Sequence, residues 1–192
     1  MVNCVDDWNG GGGGSGETPS YEPINGQHLP EYCDIPYGNS TLGYSGCEVI
    51  ALYNMLILRN AEESINSIID FMVNQFNKTP CLLSGWGMHG KFGAAPQDIA
   101  SFLRSREINY QFSFFMSSLN KNGEPGIFIV SYWNLAPVVS GYHTVAISYD
   151  GSDYVAYNYN CDRNMIYSST NGLKSILNGN GGFFFGFFIP NS

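Results

Sequence analysis

The spacing of apolar residues changes partway along the chain. Val49, Ile50, Leu52, Tyr53, Met55, Leu56 and Ile57 cover nearly every side of a helical wheel. This predicts a helix that begins at Ser45 or Gly46, runs to about Arg59 and is buried all round. Ile65, Ile68, Ile69, Met72, Val73 and Phe76 then form a one-sided stripe over residues 61–76, a second helix, with Asn60 and Glu63 as its start signal. A shorter helix is predicted from Pro96, with Ile99, Phe102 and Leu103 inward. Beyond it the pattern turns to strands rich in β-branched and aromatic residues: 110–115, 127–132, 144–149 and 154–157, a short one at 165–167 and a closing one at 183–189. The turn Asp150-Gly151-Ser152-Asp153 makes a hairpin of two of them, and residues 170–177 read as a helical turn. Helices first and an antiparallel sheet afterwards define an α+β arrangement.

The N-terminal segment lacks this patterning. It holds five consecutive glycines from Gly10 and then Ser, Gly, Glu, Thr and Pro, a composition that buries little apolar area. Residues 1–25 are therefore expected to be a flexible Gly-rich linker or tail, and residues 26–192 a single folded domain. No Gly-Lys-Ser/Thr follows the glycines and no strand precedes them, which argues against a phosphate-cradling loop.

Composition narrows the function. Of 192 residues, 44% are hydrophobic and 15% aromatic, as expected of a packed domain. The net charge of -8 argues against nucleic acid as a partner, since phosphate binding needs clustered Lys and Arg. No apolar run is long enough for a membrane span, and no secretory signal is recognisable. Five cysteines at irregular spacing make a poor disulfide framework and leave at least one thiol outside any bridge. No CxxC or HExxH occurs, so neither a metal nor another cofactor is expected.

One cysteine stands in a chemically suggestive place. Ser45-Gly46-Cys47-Glu48 spells a capping box ahead of the buried helix. Cys47 would then sit in the first turn, where the helix dipole favours a thiolate and the main-chain amide points toward a developing oxyanion. Packing is the ordinary role of such a cysteine; a base within reach would change that. Of the three histidines, His28 falls in the N-terminal approach, expected to be solvated, and His89 in a glycine-rich loop. His143 opens the strand 144–149, at a sheet rim suited to facing a helix start. The bland alternative for His143 is a structural imidazole bonded to a loop carbonyl. An orienting group is also needed. Asn158 ends the strand that pairs with the His143 strand, and Asn160 follows on the same face, so either one could serve.

These residues resemble a known family. Ile35-Pro36-Tyr37-Gly38-Asn39, followed by Gly46-Cys47-Glu48-Val49 and an apolar helix, is similar to the papain-like cysteine peptidases related to the bacteriocin-processing double-glycine peptidases. The helix segment from Gly93 to Leu103, the strand entry Asn122-Gly123-Glu124-Pro125-Gly126 and the strand Tyr142-His143-Thr144-Val145 follow in the family's order. The resemblance spans about residues 35–160. It implies a papain-like fold, N-terminal helices packed on an antiparallel sheet, with Cys47 as nucleophile, His143 as base and Asn158 or Asn160 as orienter. The family's upstream Gln, a second oxyanion donor, falls on Asn39, one methylene shorter, with Gln27 and Thr41 as alternatives. The family's Asp-Pro after the orienter strand is absent. Asn39-Ser40-Thr41 is also a glycosylation sequon, read as coincidence without a secretory signal.

The expected function is a cysteine hydrolase, a peptidase or amidase, acting on a peptide or protein. A glycine-rich linker before one compact domain also resembles the delivered toxin modules of bacterial polymorphic toxin systems, which implies secretion as part of a larger protein and a cognate immunity protein. The alternatives are an acyl-transferring or deamidating enzyme with the same site, and a papain-like fold kept as a binding module. Aromatics around Trp86, Trp133 and Tyr142 could line a cleft or fill the core.

Overall fold

In a computed structural model, the structure describes residues 22–76, 78, 93–134, 141–159, 166–177 and 182–191. A short helix α1 (Pro30–Cys33) leads into the two-stranded ribbon β1 (Pro36–Tyr37) and β2 (Ser40–Thr41). One helical turn, α2 (Leu42–Ser45), precedes the long helix α3 (Cys47–Leu58), and α4 (Ile65–Phe76) and α5 (Pro96–Ser105) follow. Then come β3 (Gln111–Ser113), β4 (Gly126–Asn134), β5 (Gly141–Tyr149), β6 (Tyr154–Tyr157), β7 (Tyr167–Ser169), α6 (Leu173–Leu177) and β8 (Phe183–Pro190). Strands β3 to β8 form one antiparallel sheet in the order β3-β8-β4-β5-β6-β7.

Strand alternation divides the core between two faces. Ile127, Ile129, Ala146, Phe185, Phe187 and Ile189 pack toward α3, α4 and α5. Phe128, Val130, Tyr132, Val145, Ile147 and Phe188 pack the opposite way, against Leu119 and α6. Helix α3 lies across β5 and β4, and residues Cys47 to Leu56 are buried on all its sides. The α+β class and the helix all round in apolar surroundings match the sequence pattern. Glu63 of the segment before α4 is bridged to Arg106 after α5 at 2.6 Å, with the guanidinium over Phe71 and Phe102.

Three local expectations are corrected. Ser45 does not cap α3: it closes α2, its Oγ is buried without a partner among the described residues, and Gly46 holds the cap position with no side-chain bond. The residue at this break is glycine because a Cβ there would lie 2.4 Å from Leu42 Cδ1 and 2.6 Å from Leu42 O. Asn60 does not start the second helix. It has φ 55 and ends α3, and the amide of Ala61 returns to the Leu56 carbonyl, a C-terminal stop in left-handed geometry. Ser64 supplies the start instead, its Oγ taking the Ser67 amide. Finally, Cys33 is disulfide-bonded, although the irregular spacing of the five cysteines reads as a poor disulfide framework.

The described chain also packs earlier than residue 26. Ile24 is buried in the helix-side core, and its amide and carbonyl both bond the side-chain amide of Asn54 in α3, at 2.7 and 2.9 Å.

Candidate functional site

Cys47 is the first residue of α3, 6% exposed, and a thiol outside any disulfide. Its neighbour Glu48 is fully buried, and this carboxyl organises the helix start. Tyr142, at the beginning of β5, hydrogen-bonds Glu48 Oε1 through its hydroxyl, which also lies 2.7 Å from the carbonyl oxygen of Ala94. The residue after Cys47 is thus joined to the residue before His143. Burial pushes the Glu48 carboxyl up to about 7, against the opposing pull of Tyr142, the Glu48 amide, the Cys47 thiol and the Ala94 amide. Tyr37, at the end of β1, is wholly buried with its hydroxyl unpartnered among the described residues. Burial raises its pKa, and the Glu48 and Cys47 charges raise it further.

His143 projects to the opposite face of β5 from Tyr142. It sits across from Tyr132, ring edge against ring face with centroids 5.9 Å apart. It is 1% exposed. Nε2 lies 2.7 Å from the main-chain oxygen of Asn158. A carbonyl can only accept, so Nε2 carries the proton and the neutral ring has its lone pair on Nδ1. Burial lowers the His143 pKa to about 4; the Asn158 carbonyl opposes this and the His28 charge adds to it.

Asn158 is placed by the β5–β6 hairpin, one residue beyond the Ala146–Tyr157 pair. Its φ of 58 is left-handed, a conformation that Asn tolerates better than most residues. That turn of the backbone aims the carbonyl at His143 and the side chain elsewhere. Asn158 Oδ1 accepts the Gln27 amide at 3.1 Å, its Nδ2 donates to Gln27 Oε1 at 3.1 Å, and its own amide donates to Asn25 Oδ1 at 3.2 Å. Gln27 Nε2 in turn donates to the carbonyl of Gly43 in α2, at 2.9 Å. An unbroken buried chain therefore runs from His143 through Asn158 and Gln27 to the helical turn just before Cys47.

Other expected residues are placed differently. Asn39 is exposed in the β1–β2 turn, between the paired Tyr37 and Ser40. Thr41 precedes α2 without capping it. Gln27 is committed to Gly43 and Asn158. Asn160, His89 and Trp86 lie outside the described residues. His28 is half-buried rather than solvated, and its charge acts on His143. Trp133 is half exposed and packs on Phe184, whose ring also meets Tyr142.

Asn25 and Tyr37 belong to the site without having stood out as its parts, and Gln27, an alternative oxyanion donor in the sequence, is spent on Asn158 and Gly43. The signal was a run of amide side chains after Ile24, and a Tyr in a two-residue strand. A cleft of about 330 Å³ lined by Met116, Leu119, Phe128, Tyr154 and Leu173 opens elsewhere and includes none of these residues. Among the described residues no cluster of His, Cys, Asp and Glu fits a metal ion, and no helix is long and apolar enough to cross a membrane. No family model matches the chain, and no curated protein matches its sequence.

Proposed function

We propose that the protein is a papain-like cysteine hydrolase, with Cys47 as nucleophile and His143 as general base. The observation that carries this reading is the Glu48–Tyr142 hydrogen bond. It fixes the start of α3 against the start of β5 at Tyr142, whose side chain faces the helix side of the sheet while that of the neighbouring His143 faces the other side, toward Tyr132. With Nε2 donating to the Asn158 carbonyl, the bond a structural imidazole would also make, Nδ1 is the nitrogen left to act as base. Asn158 is then the orienter, through its main chain.

In this mechanism the resting pair is neutral, because a His143 that titrates at about 4 is unprotonated at neutral pH. His143 Nδ1 takes the thiol proton as sulfur attacks the substrate carbonyl. The first-turn amides and dipole of α3 favour the negative charge that develops on oxygen. The imidazolium then protonates the leaving amine, and water, deprotonated by His143, releases the acyl group from Cys47. The substrate class is a peptide or amide. Turnover of a peptide library by wild type and Cys47→Ala tests the reading: activity lost in the variant agrees with it, and activity retained contradicts it.

A second reading, a papain-like fold kept for binding, is favoured by the sequence, where Asn39 stands in place of the family's upstream Gln and the Asp-Pro after the orienter strand is absent. Acylation of Cys47 by a peptide substrate separates the two, since a binding module forms no covalent adduct.

A further inference from the structure

The Tyr142 hydroxyl contacts two oxygens, Glu48 Oε1 and the Ala94 carbonyl. It has one proton to give. The Ala94 carbonyl can only accept. If Glu48 were a carboxylate, both neighbours would be pure acceptors and one contact would lack a hydrogen. If Glu48 is protonated on Oε1, both contacts of Tyr142 are satisfied: Glu48 donates to Tyr142 Oη, and Tyr142 donates to Ala94, although the Glu48 amide, the Cys47 thiol and the Ala94 amide favour the charged carboxyl. A second observation agrees. Glu48 Oε2 is buried and has no hydrogen-bond partner among the described residues. A neutral carbonyl oxygen tolerates this far better than half of a buried carboxylate.

We propose that Glu48 is kept as a neutral acid and acts as the positioning residue of the Cys47 site, and that its ionisation breaks the relay and disfavours the Cys47 thiolate. On ionisation Tyr142 turns its proton to Glu48, and the Ala94 carbonyl loses that donor. The new anion then lies beside Cys47, where like charge raises the thiol pKa. This consequence rests on Cys47 being the reactive thiol.

The surroundings permit no easy substitute. Among the described residues, the titratable groups acting on this cluster are Tyr142 from β5, Tyr37 from β1, Cys47 from α3 and Asp98 from α5, all neutral or acidic. Asp98 is occupied at its own helix start, where Oδ2 takes the Ala95 amide at 3.0 Å. No cation from these elements offsets a charge on Glu48. The fit is also close: at Gly93, with φ +88, a Cβ would lie 2.7 Å from Glu48 Oε1.

Glu48→Gln tests the proposal, because the Gln side-chain N–H donates to Tyr142 as the neutral acid does and cannot ionise. Cys47 alkylation by iodoacetamide is followed against pH in both proteins. Wild type should show a second titration near the pH of about 7 at which Glu48 ionises. Above it, alkylation should be about tenfold slower than in Glu48→Gln while both thiols are still titrating. Superimposable profiles would overturn the proposal. An infrared difference spectrum gives an independent readout: wild type below that pH should show a protonated-carboxyl band that disappears above it and shifts in Tyr142→Phe. Its absence would overturn the proposal even if Glu48→Gln failed to fold. Neither measurement involves peptide turnover, so a protein that relays this proton but hydrolyses nothing would be recognised as such.

Discussion

The imidazole of His143 donates its Nε2 proton to the main-chain carbonyl of Asn158, at 2.7 Å, while the Asn158 side chain is turned away to Gln27. Orientation of the base therefore depends on a left-handed backbone and not on an amide group.

Two substitutions separate those contributions. Asn158→Gly keeps left-handed geometry open to the chain and keeps the carbonyl; Asn158→Ala penalises that geometry by about 1–3 kcal/mol. Both lose the bonds to Gln27, each orphaned buried group costing about 1–3 kcal/mol. Urea unfolding should rank wild type above Asn158→Gly, and Asn158→Ala last. Nitrogen NMR of Asn158→Gly should still show His143 protonated at Nε2. A switch to Nδ1 would contradict main-chain orientation.

Stability against pH should reveal two opposed titrations. His143 titrates at 6.5 when unfolded and about 4 when folded, so its contribution is complete above 6.5 and lost as pH falls toward 4. Glu48 titrates at 4.5 when unfolded and about 7 when folded, so its contribution is complete below 4.5 and lost as pH rises toward 7. Each is on the order of 3 kcal/mol. Across the shared window they offset, and wild type should be nearly flat there. Glu48→Gln should leave a stability that rises with pH, and His143→Gln one that falls. Parallel slopes in the two variants would contradict the assigned burial of either group.

Gly43 should be intolerant of a side chain. A Cβ there would stand 2.8 Å from the Cα and the carbonyl oxygen of the disulfide-bonded Cys33, and the Gly43 carbonyl is the acceptor of Gln27. Gly43→Ala should destabilise by about 1–3 kcal/mol through overpacking. Gly182→Ala is the control: nothing lies within 4 Å of its Cβ, and its effect should stay within about 0.5 kcal/mol. Equal midpoints in urea would argue against close packing of α1 on α2.

Much of this arrangement was legible in the residues. Apolar spacing located α3, α5 and the central strands because burial on one or both faces writes itself into the pattern. Hairpin geometry put Asn158 beside His143. The failures share a cause: polar side chains were assigned local partners and found distant ones. Ser45 and Glu48 read as a capping box, yet Glu48 is spent on Tyr142, far along the chain. Asn25 looked like the end of a linker and Gln27 like an alternative oxyanion donor, yet the partner of both is Asn158. A spacing rule reaches one helical turn, and nothing in it reports a bond between chain segments this far apart.

The central claim, covalent chemistry at Cys47, is tested most directly by mass spectrometry of the protein quenched in acid during incubation with a peptide mixture. The account predicts an acyl adduct mapped to the Cys47 peptide, absent in Cys47→Ala, together with a loss of about 10²–10⁴ in turnover for His143→Ala. Turnover with no adduct at Cys47, or folded wild-type protein that forms no adduct and turns over no peptide, would contradict it.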